Sequence, residues 1–451
     1  MAVHRIEKGL DIPITGAPEQ VVEEGAAVSR VAVVASDFVG MKPRLHVDVG
    51  DVVKRGQPLF DDRKREGVVH TAPGAGTVVA INRGERRAFQ SLVIELSEGE
   101  RSGTPSDDEL ERFPVPEELG AAQVRDLLLT SGLWTALRTR PYSRVPNAGD
   151  SPKSIFVTAA DTNPLTARPD VVLRGRQEAF QAGLDALALI APVHLCRHET
   201  SGVSGDHVSN HTFAGPHPAG NVGTHIHIID PVWRQKTVWH IGYQDVVAIG
   251  ELLATGVLPV DRVVALGGPP VKRPRLLKTR VGASVDELVA GELGEGELRV
   301  ISGSILSGVV ATGDIFGFLG RYANQVSVLA EGREREFLGW LSPGFNVFST
   351  MPVFFAGAVP MPDARYDITT AENGSKRSMV PIGRYEEVFP LDILPTFLLR
   401  SCLSGDLERA EALGVLELDE EDVALCTVVC PNKHDFGPVV RTVLNTIEAE
   451  G

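Results

Sequence analysis

Seven of the twelve histidines crowd between positions 194 and 227: His194, His198, His207, His211, His217, His225 and His227. Only Ile226 separates His225 from His227. Read as an alternating strand, the run His225–Ile228 puts two imidazoles on one face and two isoleucines on the other. Two such rings with a third ligand can hold zinc, and a carboxylate such as Glu199 or Asp206 could join them. No H-E-x-x-H and no C-x-x-C accompanies them, so hydrogen-bonded loop histidines are the plainer expectation. A side chain titrating near about pH 6.5 also suits proton handling. The four cysteines are Cys196, Cys402, Cys426 and Cys430. The last two form C-x3-C-P, but three C-terminal thiols cannot supply the four ligands of an iron–sulfur cluster. Buried reduced thiols are expected instead. Ser201–His207 (SGVSGDH) lacks the G-x-S-x-G spacing of a hydrolase elbow. Gly267-Gly268-Pro269-Pro270 is turn material, with no Lys-Ser/Thr to make a phosphate loop.

The histidine pair ends a run, Phe213–Val232 (FAGPHPAGNVGTHIHIIDPV), that is dense in glycine and proline. Gly215, Gly220 and Gly223 permit tight turns or close backbone approach. The run predicts an irregular loop passing straight into a short strand, and such loops on a rigid sheet often carry function.

Around it lie several kinds of segment. Residues 26–97 read as short strands split by turns, with GDVVKRGQPL at 50–59 and TAPGAGTVVAI at 71–81. Residues 98–118 are polar and acidic and predict a linker. From Leu119 the pattern becomes strand and helix in alternation: a helix ending near Gly132, an apolar strand at 154–160, and a turn at Asp161-Thr162-Asn163-Pro164. A helix over 170–188 follows, then a strand ending near Leu195, a helix near 244–256 and a strand at 262–266. That alternation predicts a doubly wound α/β domain. Residues 275–293 predict strand, turn and helix, with Ser284 and Glu287 as a capping box. Phe345–Pro360 predicts a buried strand pair, with a partner-facing patch as the other use of so apolar a run. Residues 383–451 carry apolar positions at three-and-four spacing and predict helices.

The chain has 451 residues, 43% of them hydrophobic, and a net charge of −15. This bounds it to several ordinary domains and argues against nucleic acid or anionic lipid as a partner. The densest basic patch is RTRPYSR at 138–144. No apolar core of signal-peptide length and no run of about 20 apolar residues is present, so neither export nor a membrane span is expected.

Three segments together resemble one family: the opening Gly9–Gln20 (GLD, IPI and GAPEQ), FAGPHPAG with GTHIH at 213–227, and Glu417–Pro431 (ELDEEDVALCTVVCP). They resemble the A subunit of the sodium-translocating NADH:quinone oxidoreductases, bacterial respiratory sodium pumps. That family is related to the flavin-binding subunit of complex I and to the Rnf-type C subunit. The resemblance implies an α+β multidomain chain. Its parts are a barrel-sandwich (biotinyl/lipoyl-like) module at 1–100, a linker at 101–118, a Rossmann-like α/β domain at 119–266, a β-grasp (SLBB-like) domain with mixed strands at 267–375, and a helical domain at 376–451 without an iron–sulfur cluster.

It implies a peripheral subunit on the cytoplasmic side of the inner membrane. The partners would be integral-membrane subunits, chiefly the B subunit and also C to F, and ubiquinone. The complex oxidises NADH, reduces ubiquinone and exports Na+. Two departures bear on this chain's own role. In the relatives, the Ser131-Gly132-Leu133 position opens a glycine-rich loop for the flavin phosphate. Here no glycine follows Gly132 until Gly149, so backbone amides cannot crowd a phosphate, and no FMN or NADH is expected. At the position of a carrier lysine stands Arg65, which points to a structural module rather than a swinging arm. The expectation is therefore no catalytic residue, no metal and no bound cofactor, with a quinone-binding surface at Phe213, His217, His225, His227 and Trp233. The rivals are a scaffold with no ligand and a self-sufficient NADH flavoprotein.

Overall fold

The computed structural model describes residues 3–333, 343–352, 354–359, 361 and 363–450. Period-two segments with β-branched residues on the inner face build the first unit. A four-stranded sheet runs Arg30–Val34, Phe89–Leu96, Gly76–Arg83, Val52–Val53, and a three-stranded sheet runs Pro43–Leu45, Pro58–Asp62, Val69–Thr71. Val31, Leu59, Phe60, Val78, Leu92 and Ile94 fill the space between them. The Pro58–Thr71 hairpin tip is docked, not free. Arg65 donates to Asn147 Oδ1 at 3.1 Å and to Glu448 Oε1 at 3.3 Å.

The α/β unit has six strands in the order Val3–Arg5, Ser209–Ala214, Val193–His198, Ile155–Ala159, Val238–Gly242, Arg138–Arg140. The first five are parallel and Arg138–Arg140 is antiparallel. From Ile155–Ala159 the chain proceeds to one side and later to the other, so the strand order reverses between it and Val238–Gly242. Helices Ala121–Ser131, Gln177–Ile190 and Tyr243–Thr255 cover one face over Ile155, Val157, Trp239 and Ile241. The expected 170–188 helix is two helices, Pro169–Val172 and Gln177–Ile190, split near Gly175 at φ 79°. The expected 262–266 strand forms as Asp261–Gly267, but it belongs to a different sheet.

That sheet is the β-grasp unit, ordered Val309–Val310, Leu298–Ser302, Gln325–Ala330, Asp261–Gly267, Arg275–Arg280, Glu19–Glu24. The N-terminal segment thus lends one strand here and another, Val3–Arg5, to the α/β sheet. Ser284 caps the Val285–Leu288 helix, accepting from Glu287 N–H. The reciprocal half of the capping box is absent. Glu287 instead binds Ser29 and Arg30, tying this unit to the barrel-sandwich.

Five helices, Arg384–Val388, Pro395–Ser404, Leu407–Ala412, Ala424–Val429 and Gly437–Glu450, close the chain around Tyr385, Leu398, Phe436 and Leu444. Cys402, Cys426 and Cys430 lie in that core. Burial pushes the Cys402 thiol up to about 11, and the Tyr385 hydroxyl sits 3.2 Å from Cys430 Sγ.

Two sequence expectations are overturned here. His225–Ile228 is not a strand but part of the helix Val222–Ile229. Val222, Ile226 and Ile229 sit at i, i+4 and i+7 and pack together. Alternation would have put Ile226 and Ile228 on one face, yet Ile226 is 1% exposed and Ile228 38%. Phe345–Pro360 is not a buried strand pair. Phe345 and Phe355 are exposed, and Phe355–Ala358 is a helical turn; positions 353 and 360 lie outside the described residues.

Candidate functional site

In doubly wound sheets, ligands bind beyond the carboxyl ends of the strands where the strand order reverses. Here that point, between Ile155–Ala159 and Val238–Gly242, opens on a cavity of about 730 Å³. All four units line it. The barrel-sandwich gives Asp37 and Val39, and the α/β sheet gives Arg138, Thr158, Asp161 and His240. The β-grasp gives Ser302–Ser304 and Tyr322, and the helical unit gives Asp419–Glu421 and Arg441. A second cavity, beside His70, Leu133 and Arg321, measures about 60 Å³, room for a few waters and no ring.

The glycine-rich run forms one wall, and its histidines brace that wall rather than face the cavity. Gly220, Asn221 and Val222 line the cavity. Gly220 N–H donates to Thr162 Oγ1 at 2.9 Å, and a Cβ at 220 would stand 2.5 Å from Thr162 N. His225 is fully buried. Its Nε2–H donates to the Ala219 carbonyl at 2.9 Å, and its ring lies 4.2 Å from that of Phe213. His217 N–H donates to Asp11 Oδ1 at 2.9 Å, and its Nδ1 is 3.2 Å from Thr162 Oγ1. Burial lowers His217 to about 4 and His225 to about 3, so both rings are neutral. His227 lies on another face of the helix. Its Nε2 accepts from Asp392 N–H at 2.9 Å and its Nδ1–H donates to Glu417 at 2.7 Å, which clips the helix to the C-terminal unit. Trp233 is exposed beside Lys236, whose ammonium stands 4.7 Å from the ring centroid. The structure therefore brings Phe213, His217 and His225 together behind the cavity wall and leaves His227 and Trp233 apart from them. His194 and His211 touch at 3.0 Å on neighbouring strands. Among the described residues no three His, Cys, Asp or Glu side chains stand where they could share a metal ion.

The basic patch at 138–144 turns inward. Arg140 has no solvent exposure and donates to Asp422 Oδ2 at 2.7 Å, the Glu417 carbonyl at 3.0 Å and Glu421 Oε1 at 3.1 Å. Arg144 holds Glu448 and Asn445 of the last helix. Arg138 lies with its guanidinium 4.2 Å from the Tyr322 ring centroid. The acidic partner is the ELDEED run. Asp419 and Asp422 cap a helical turn, and Arg441 holds Asp419 and Glu420. Burial raises Glu421 and Glu420, each to about 7, with neighbouring carboxylates adding to the effect. Arg138, Thr158, His240 and Glu421 line the cavity and were not among the expected site residues. The one available signal was the conjunction of an unusually basic and an unusually acidic run in one chain.

The place of a phosphate loop is filled. Gly132 turns at φ 80°, and Leu133–Ala136 form a tight helical turn. Trp134 is fully buried there, perpendicular to Trp239 at 5.3 Å, with its Nε1–H bonded to the Pro146 carbonyl at 2.9 Å.

Family profiles match three parts of the chain: the NqrA N-terminal barrel-sandwich hybrid domain at residues 4–97, the NqrA second alpha/beta domain at 119–258, and the NQRA C-terminal domain at 263–313. The chain is similar end to end to proteins named as the A subunit of Na(+)-translocating NADH-quinone reductase. It is 54% identical to that of Glaesserella parasuis serovar 5 and 52% identical to that of Histophilus somni strain 2336, in each case over 99% of both chains. It is 51% identical to that of Alcanivorax borkumensis over 99% of this chain and all of the relative. With three profiles spanning most of its length and half its residues shared with full-length relatives, the chain belongs to the NqrA family, the A subunits of Na(+)-translocating NADH-quinone reductases.

Proposed function

We propose that the chain is the peripheral A subunit of a respiratory sodium pump that oxidises NADH, reduces ubiquinone to ubiquinol and exports Na+. It sits on the cytoplasmic side of the bacterial inner membrane against the integral-membrane subunits, chiefly the B subunit and also C to F. Among its described residues no helix is long and apolar enough to cross a membrane, which fits a peripheral place. It has no catalytic activity of its own, and flavins and iron–sulfur centres belong to the partner subunits. Its own role is structural and quinone-binding. The observation that carries the ligand role is the 730 Å³ cavity at the reversal point, in a chain whose phosphate turn is filled by Trp134. Small-molecule sites span about 300–1,000 Å³ and combine apolar walls with a few polar groups. Phe213, His217 and His225 serve that site by bracing the Gly220–Val222 wall, and His227 by fixing its helix to the C-terminal unit. Trp233, on the surface, is a candidate for the approach of the quinone tail. The scaffold reading is supported by the internal bonds that occupy His217, His225 and His227.

The test is calorimetric titration of the isolated full chain with a short-chain ubiquinone, with FMN and NADH as controls. Saturable quinone binding with silent controls is expected. Binding of none of the three makes the chain a scaffold, and tight FMN binding makes it a flavoprotein.

A further inference from the structure

Basic and acidic side chains both line the cavity. The Arg138 guanidinium is stacked on Tyr322 at 4.2 Å and makes no hydrogen bond or ion pair with another described side chain. Two positions along the same strand, the terminal nitrogens of Arg140 are taken up by carboxylate and carbonyl partners. Thr158 and His240 also line the cavity. In the sheet register Phe156 stands beside His240, and His240 beside Arg138, so these side chains share one face of the sheet. Thr158 Oγ1 and His240 Nε2 are buried without a partner, and His240 is 3% exposed.

Asp419, Glu420 and Glu421 also line the cavity; with Asp422 they form a run of four carboxylates, and the cations bound to them are Arg140 and Arg441. A neutral ring with an oxygen at each end meets a complement at both: a donor with nothing bound to it at Arg138, and an acceptor at Glu421, whose side chain is 30% exposed. The two are close enough for the Arg138 charge to act on the Glu421 carboxyl.

Resting on the quinone role proposed above, we propose that the ring of the quinone is held between these poles. Arg138 donates to a carbonyl oxygen of the oxidised form, and the Glu421 carboxylate accepts from a hydroxyl of the reduced form. The cavity therefore distinguishes the two redox states by different residues.

The test measures affinities of the full chain for a short-chain ubiquinone and for its quinol, under anaerobic conditions, in wild type, Arg138→Met and Glu421→Gln. Thermal midpoint and near-ultraviolet circular dichroism report folding; Arg138 has no ion pair to lose. Arg138→Met is expected to weaken quinone about tenfold or more, the usual effect of losing a charged donor, and quinol less. Glu421→Gln is expected to weaken quinol and leave quinone nearly unchanged. The Val52→Ala variant, at an exposed position outside the cavity lining, is the control and should retain the wild-type ratio of the two affinities. If wild type binds but both variants change the two forms equally, or not at all, the two-pole assignment is wrong while the quinone role stands. If wild type binds neither form, both fall.

Discussion

Arg140→Met should release the C-terminal helical unit from the α/β sheet. The guanidinium is fully buried and meets Asp422 at 2.7 Å, Glu421 at 3.1 Å and Asp419 at 3.7 Å. At an effective dielectric of about 20, the Asp422 contact alone amounts to about 6 kcal/mol of attraction. Desolvation of the guanidinium offsets part of that. Methionine has nearly the same length and is itself easily buried, so the remaining loss is that of stranding a carboxylate pair, about 3–5 kcal/mol. The cost should shrink on acidification, because the stranded carboxylates can take up protons. The assay is calorimetric unfolding together with limited proteolysis around residues 376–451. The expected result is an earlier transition for the C-terminal unit and new cleavage in it at pH 8, both reduced at pH 5.5. The variant Arg140→Met/Asp422→Leu should recover part of the loss. An Arg140→Met protein within about 1 kcal/mol of wild type at pH 8 would refute the assignment of Arg140 as the tie between the units.

Replacing the buried His70 tests the neutral-histidine cores. Burial, and then the Arg321 charge, lower it to about 3. Because the unfolded ring takes up a proton near pH 6.5 and the folded ring does not, the stability it contributes is complete above pH 6.5 and is lost as pH falls toward 3. His70→Phe, stacked as His70 is on Phe60 at 4.5 Å, should remove about 1.4 kcal/mol per pH unit of acid sensitivity in that window; an unchanged slope in urea melts would contradict it. Gly223→Ala should destabilise by about 1–3 kcal/mol despite alanine's helix propensity. The new Cβ would stand 2.2 Å from Asp422 Oδ1, and a thermal midpoint at or above wild type would refute this. The barrel-sandwich should carry no attached cofactor. Intact mass after co-expression with a biotin or lipoyl ligase should equal the unmodified chain, whose tip is docked on Asn147 and Glu448 through Arg65.

The parallel strands and amphipathic helices of the α/β unit were legible because burial on both faces writes continuous apolar runs such as Ile155–Ala159. The turn at Asp161–Asn163 was legible for a local reason: Asn163 N–H donates to Asp161 Oδ1 at 2.9 Å. The HIHI run misled because four residues fit both periods. Only Val222 and Ile229, outside it, separate helix from strand. Sheet membership was not legible either. Nothing local in Arg262–Leu266 says that Asp261–Gly267 pairs with Arg275–Arg280 rather than with Val238–Gly242. The cavity could not be read for the same reason: Arg138, His240 and Glu421 line it together although they stand far apart in the chain. The glycine-rich run meets the cavity through Gly220, Asn221 and Val222, while its histidines are bonded away from it.

The most direct test of the account is add-back to membranes from which this chain has been deleted. Sodium-stimulated ubiquinol formation from NADH would be followed as purified chain is titrated in. The account predicts activity restored to a plateau by the wild-type chain, while the chain alone oxidises no NADH. Membranes fully active without it, or a purified chain that oxidises NADH unaided, would contradict the account.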